Sequence, residues 1–227
     1  MNTRYSQPMR QGAAHGARSA GERTASRSAG PRRGKAPPAY GSGGISMKVT
    51  RTALPEVKIV ESALFYDESG SAFETFNADD FARHVARGVE FVQDDHSHSR
   101  RGVLRGLHYQ IRHPQGKLVR VVAGDVFDVA VDIRLSSHNF GKWIGVHLSA
   151  DNRRQMWVPP GFAHGFVVMS ETAECLCRVT DYWYPEHERS ILWSDPDIGI
   201  DWPIEFAPIL AARDEAGKRL YEAEHYA

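Results

Sequence analysis

The 227-residue chain carries 28 Lys and Arg against 28 Asp and Glu, and 41% of it is hydrophobic, enough for one or two domains with a sizeable core. The charge is unevenly placed: residues 1–46 hold eight basic side chains against the single acid Glu22, which leaves 20 basic and 27 acidic residues, a formal charge of −7, in 47–227. That acidic body excludes nucleic acid as the expected partner. Two cysteines, Cys175 and Cys177, exclude a disulfide framework, and the lack of a long apolar run excludes a membrane span.

Residues 1–46 are rich in Arg, Gly, Ser, Ala and Pro and show no apolar period, so they are read as a disordered tail. A basic, Ser-rich leader fits a transit peptide or a nucleic-acid arm. The simpler readings are a variable tail or a start assigned too far upstream, with Met47 as the natural start. No signal-like apolar core follows the N-terminal arginines, so the expected location is cytoplasmic.

Residues 47–227 are read as one folded domain. Val57-Lys58-Ile59-Val60 and Ala72-Phe73-Glu74-Thr75-Phe76 are short strand candidates, and Asn77-Ala78-Asp79-Asp80 is an N-cap cluster opening a two-turn helix that runs to Ala86. The spacing then predicts a hairpin, with strands over 117–122 and 126–133 around the turn Ala123-Gly124-Asp125. Further strands fit 142–148, 155–158, 165–169 and 174–181. Short strands at regular spacing, separated by Gly, Pro and Asn, predict an all-β antiparallel sandwich or barrel.

The chemistry concentrates in Val103-Leu104-Arg105-Gly106-Leu107-His108-Tyr109-Gln110 and in Gln115-Gly116-Lys117-Leu118-Val119-Arg120. An imidazole near its free pKa of about 6.5 takes a proton at neutral pH, and a neighbouring cation holds the negative charge that remains. This is equipment for forming a carbanion beside a carbonyl. Asp128 and Asp132 interrupt an apolar strand and share a face with Val126 and Ala130. That face meets either water or a polar cavity; the cations Arg105, Lys117 and Arg120 favour the cavity.

Pro159, Gly161 and His164 form a Pro-x-Gly-x-x-His turn that resembles the second motif of the cupin superfamily. The resemblance implies a cupin-type double-stranded β-helix, or jelly roll, with short flanking helices. Metal-binding cupins carry an earlier His-x-His followed by Glu. Here His96-Ser97-His98 supplies the pair, but Gly102 and Val103 stand where the carboxylate belongs, so no metal is expected.

From about Met47 to Tyr226 the chain resembles the dTDP-4-dehydrorhamnose 3,5-epimerase family, through ordered runs that include Phe91 to Asp94, Val103 to Gln110, Gln115 to Arg120, Val126 to Arg134, Pro159 to Phe166 and Asp195 to Pro203. The resemblance implies proton abstraction from carbons 3 and 5 of a dTDP-linked 4-keto-6-deoxyhexose, no cofactor, and a homodimer paired through an N-terminal strand. It assigns the base to His108, the carboxylate that orients it to Asp214, and enolate stabilisation to Lys117. It places substrate binding at Glu74, Gln93, Arg105, His164, Arg178, Glu188 and Arg213. Two positions depart from the family pattern. Cys177 stands where the proton-donating tyrosine is expected, which makes Cys177 or nearby Tyr182 the candidate acid, and Ser69 replaces a nucleotide-contacting arginine. These departures leave open a single-carbon epimerase or an inactive sugar-nucleotide binder.

Overall fold

The structure is a computed structural model that describes residues 47–227, so the expectations for the tail lie outside the described residues. The chain forms β1 (Met47–Arg51), β2 (Lys58–Ser62), β3 (Leu64–Asp67), β4 (Gly70–Phe73), α1 (Ala78–His84), β5 (Gln93–Arg100), β6 (Leu104–Gln110) and β7 (Lys117–Ala123). It continues with β8 (Asp125–Asp132), β9 (Trp143–Ser149), β10 (Arg154–Val158), β11 (Phe162–Val168), β12 (Thr172–Val179), β13 (Glu188–Ser190) and α2 (Ala212–Glu215).

Two antiparallel sheets build the body, in the orders β1-β2-β10-β7-β12-β5 and β13-β6-β11-β8-β9, while β3 and β4 make a separate hairpin. Side chains from both sheets meet in the layer between them, including Val119, Met156 and Cys175 from one and Ala130, Leu148 and Phe166 from the other. This is the cupin-type jelly roll.

Both outer faces are also covered. Leu104, Leu107, Tyr109 and Val131 pack beneath the C-terminal segment through Ile191, Trp202 and Leu220. Phe81 and Val85 of the α1 region cover Val60, Leu118 and Trp157 of the six-stranded sheet. Burial on two sides explains why several strands read as nearly unbroken apolar runs instead of alternating with polar residues. Each fully buried Leu, Val or Phe contributes about 1.5–3 kcal/mol relative to an exposed one.

The helix starts where its cap dictates: the Asn77 side chain accepts hydrogen bonds from the Asp79 and Asp80 amides. It ends at His84, two residues short of the expected end.

The expected hairpin over 117–133 is corrected. Both strands exist, but β7 pairs with β10 and β12, and β8 pairs with β11 and β9. Gly124, at φ +77°, carries the chain from one sheet into the other. A two-strand turn signal does not distinguish a hairpin from a crossing between facing sheets when both strands are apolar on two sides. The expected strand over 72–76 is displaced to Gly70–Phe73.

Candidate active site

His108 and His164 occupy directly paired positions on β6 and β11. The two strands come unusually close at this point. A methyl group on Gly106 would lie 2.5 Å from the Gly165 Cα, and one on Gly165 would lie 2.7 Å from the Arg105 carbonyl oxygen. The ladder also shifts register between His164 and Phe166. The Pro-x-Gly-x-x-His turn does aim His164 into the interior, because its ring lines the same cavity as His108.

Each imidazole is held by its own buried carboxylate. His108 Nε2 lies 2.5 Å from Asp214 Oδ1, and His164 Nε2 lies 2.8 Å from Asp128 Oδ1. Asp214 is 1% exposed and Asp128 fully buried. With Nε2 donating to a carboxylate, Nδ1 is left as the free nitrogen of each ring.

The cavity measures about 350 Å³ and is lined also by Gln93, Asp95, Gln110, Gln115, Lys117, Trp183, Glu188 and Arg213. The Lys117 ammonium donates to Gln115 Oε1 at 3.1 Å, and Gln115 in turn donates to the Asp181 carbonyl at 2.9 Å. Arg213 pairs with Glu188 at 2.9 Å, beside the dyad. A larger depression of about 770 Å³ runs along β1 and β2, but its Lys48 and Glu61 pair with each other at 3.0 Å and it contains neither dyad histidine. The smaller cavity is the one that holds both dyad imidazoles and Lys117.

Thus His108, Asp214, Lys117, Gln93, His164, Glu188 and Arg213 come together as expected, five of them from separate strands and two from α2. Others do not. Cys177 lies beneath the lining, packed against the inter-sheet core and paired in register with the lining residue Asp95. Burial pushes its thiol up to about 11; Lys117 pulls against that shift, while Asp128, Asp95 and Asp94 reinforce it. Tyr182 is 54% exposed and is not part of the lining, where its neighbour Trp183 stands instead. Arg105 points inward to Ser99, with Nε 3.2 Å from Oγ, below the cavity lining. Arg178 projects from the outer sheet face, bidentate to Asp94 at 2.8 and 3.1 Å and stacked on Phe76. Glu74 follows β4, near the Asn77 side-chain amide, also away from this cavity.

The face shared by Asp128 and Asp132 meets neither water nor the cations expected for it. Asp128 engages His164, and Asp132 is bound by Arg134 at 2.7 and 2.9 Å and by the Ser137 hydroxyl at 2.6 Å. His96 pairs with Glu174 at 3.0 Å, and among the described residues no three His, Cys, Asp or Glu side chains form a candidate metal cluster. Among them, too, no helix is long and apolar enough to cross a membrane.

Five lining residues, Asp95, Tyr109, Gln110, Gln115 and Trp183, are not among the site residues expected from sequence. Trp183 has a signal in the aromatic run Tyr182-Trp183-Tyr184, and Tyr109, Gln110 and Gln115 stand inside the quoted motifs, whereas Asp95 carries only its position after the run Phe91 to Asp94.

The family profile described as dTDP-4-dehydrorhamnose 3,5-epimerase matches residues 51–222. The chain is similar to the dTDP-4-dehydrorhamnose 3,5-epimerase of Pseudomonas aeruginosa, at 56% identity over 178 residues, covering 78% of this chain and 98% of that protein. It also resembles the solved dTDP-6-deoxy-D-glucose-3,5-epimerase of Legionella pneumophila in complex with dTDP-4-keto-L-rhamnose, at 48% identity and a TM-score of 0.77, covering 78% and 95% of the two chains. A 3'-monoepimerase from Streptomyces bikiniensis, solved with dTDP-quinovose, matches at 30% identity and a TM-score of 0.70, covering 75% and 87%.

Proposed function

From the premise that the chain belongs to the dTDP-4-dehydrorhamnose 3,5-epimerase family, we propose that His108 is its catalytic base and that Asp214, Lys117 and Cys177 complete the chemistry. The enzyme is an isomerase acting on a sugar nucleotide: it converts dTDP-4-dehydro-6-deoxy-D-glucose to dTDP-4-dehydro-L-rhamnose. The single observation that carries the residue assignment is the 2.5 Å contact between the cavity-lining His108 and the buried Asp214.

The C4 ketone acidifies the hydrogens on carbons 3 and 5. His108 Nδ1 takes one of these protons, and Asp214 stabilises the imidazolium that forms. The electron pair moves into the C4 oxygen as an enolate, opposite the Lys117 ammonium. Return of a proton to the other face inverts the carbon. The donor is Cys177, whose raised thiol stays protonated at neutral pH and lies close enough to Lys117 to feel its charge. These steps draw only on side chains and the substrate's own ketone.

Arg213, Gln93, Glu188 and His164 hold the sugar nucleotide at the rim and wall, and Trp183 offers a face for stacking the base. The homodimer uses the exposed edge of β1 and the β3–β4 hairpin, on which Phe65 and Tyr66 are exposed. Cytoplasmic placement fits the two free thiols.

Inversion at one carbon is the second reading, favoured by the position of Cys177 beneath the lining, where a thiol reaches less far than a phenol. Turnover of the 4-keto-6-deoxyglucose nucleotide in deuterated water separates the two. Label at both carbons supports the double reaction, label at one carbon supports the second reading, and saturable binding with no label contradicts both.

A further inference from the structure

Asp214 sits in α2, four residues long and without a side-chain cap. A helix this short has no stability of its own, so its place is set by what anchors its ends. Upstream, Ile209 donates to the Gly102 carbonyl at 2.8 Å and accepts from the Leu104 amide at 3.0 Å. Downstream, Lys218 donates to the Ser190 carbonyl at 3.0 Å and accepts from the Leu192 amide at 2.8 Å. Ser190 is the register partner of His108. The segment carrying the carboxylate is therefore tied back upstream to the start of β6, which carries the base, and downstream to the end of β13, which pairs with β6.

Two residues lock the downstream tie. Gly217 lies against the end of β13 so tightly that a methyl group there would fall 2.7 Å from the Leu192 nitrogen and 2.8 Å from the Ile191 carbonyl carbon. The obstacle is backbone, which cannot rotate aside. Asp195, 2% exposed, accepts the Leu220 amide at 2.5 Å on one oxygen and the Asp197 amide at 2.9 Å on the other. Neither residue lines the cavity.

We propose that Gly217 and Asp195 are positioning residues that set the His108–Asp214 distance by pinning the chain after α2 against β13. The inference rests on the assignment of His108 as base. A methyl at Gly217 pushes the α2 exit off β13 and lengthens the short imidazole–carboxylate bond. Asn at Asp195 replaces one of two acceptor oxygens by an amino group facing an N–H donor, releasing Leu220 or Asp197.

The test compares Gly217→Ala and Asp195→Asn with wild type, and with Val57→Ala, a buried core variant on β2's approach that destabilises the fold away from the site. Readouts are Tm, kcat, KM and the far-downfield proton resonance of the imidazole N–H bonded to Asp214. Misplacement by tenths of an ångström to one ångström is expected to cost up to about 10²-fold in kcat, with KM within about twofold and the resonance lost. Val57→Ala lowers Tm but keeps kcat and the resonance. Should Gly217→Ala fail to fold, Asp195→Asn carries the same readouts. Lowered Tm with wild-type kcat and an intact resonance in the folded variants overturns the positioning role. Failure of the underlying assignment looks different: His108→Ala would then keep solvent exchange, whatever the two positioning variants do.

Discussion

His108 and His164 face one cavity from a single paired position of β6 and β11, and each gives its Nε2 to a different buried aspartate. The two dyads are separate in their carboxylates, and the strands that carry their imidazoles pair directly. The second aspartate, Asp128, leaves its Oδ2 buried without a hydrogen-bond partner, so its side-chain hydrogen bonding is directed at His164 through Oδ1.

Disrupting the second dyad is expected to weaken substrate binding more than turnover. Asp128→Asn and His164→Ala should each raise KM about tenfold, and a double-mutant cycle should return a coupling of about 0.5–3 kcal/mol. Additive effects in steady-state kinetics would show that the two side chains do not act as a unit.

Cys177 should behave as a protonated thiol throughout the neutral range. Because burial raises it to about 11, alkylation by iodoacetamide is slow at pH 7 and accelerates only as the pH approaches that value. Cys177→Ala should slow formation of the doubly inverted product about 10²-fold, the lower end of what a general acid contributes. Cys177→Tyr should raise turnover, and product analysis by NMR checks both variants.

The Arg134–Asp132 pair is a stability element rather than a catalytic one. Burial alone would raise the Asp132 carboxyl, but the bonds from Arg134 and Ser137 outweigh it and hold it below the usual range. A depressed folded value means that stability is present above the unfolded value of about 3.9 and is lost as pH falls through the folded one. Arg134→Met should cost about 3 kcal/mol at pH 7, because it leaves a buried charge without its main partner. Urea melts at pH 7 and pH 3 should show that difference shrinking in acid.

Gly106→Ala should abolish both dyads at once. The added methyl meets the Gly165 Cα at 2.5 Å, and the residue has φ +124°, a region costly for any side chain. The expected result is a loss of several kcal/mol in stability by chemical denaturation and no measurable epimerisation.

Much of this site could be read before any coordinates, because its chemistry rests on residues inside long, specific motifs. His108, Lys117 and His164 belong to such runs, and strand spacing alone called for an antiparallel sandwich. What escaped was set by packing across the fold. Gln93–Arg100 contains no apolar residue, so periodicity could not mark it as a strand, yet it forms one wall of the cavity through Gln93 and Asp95. The 117–133 segment read as a hairpin because local turn chemistry is blind to which sheet a strand joins. The family resemblance places Arg178 in the site, but adjacent residues on a strand point to opposite faces, and its side chain lies against Asp94 and Phe76, outside the cavity lining. Asp195 opens one of the quoted runs and Gly217 stands in none, but neither signals a positioning effect, which arises from chain segments that meet only in three dimensions.

The central claim is that one imidazole, held by Asp214, removes the hydrogens beside the ketone. Incubating His108→Ala with the 4-keto-6-deoxyglucose nucleotide in deuterated water and following carbons 3 and 5 by NMR tests it most directly. The account predicts no deuterium at either carbon on the time scale of wild-type turnover; incorporation at near wild-type rate would contradict it.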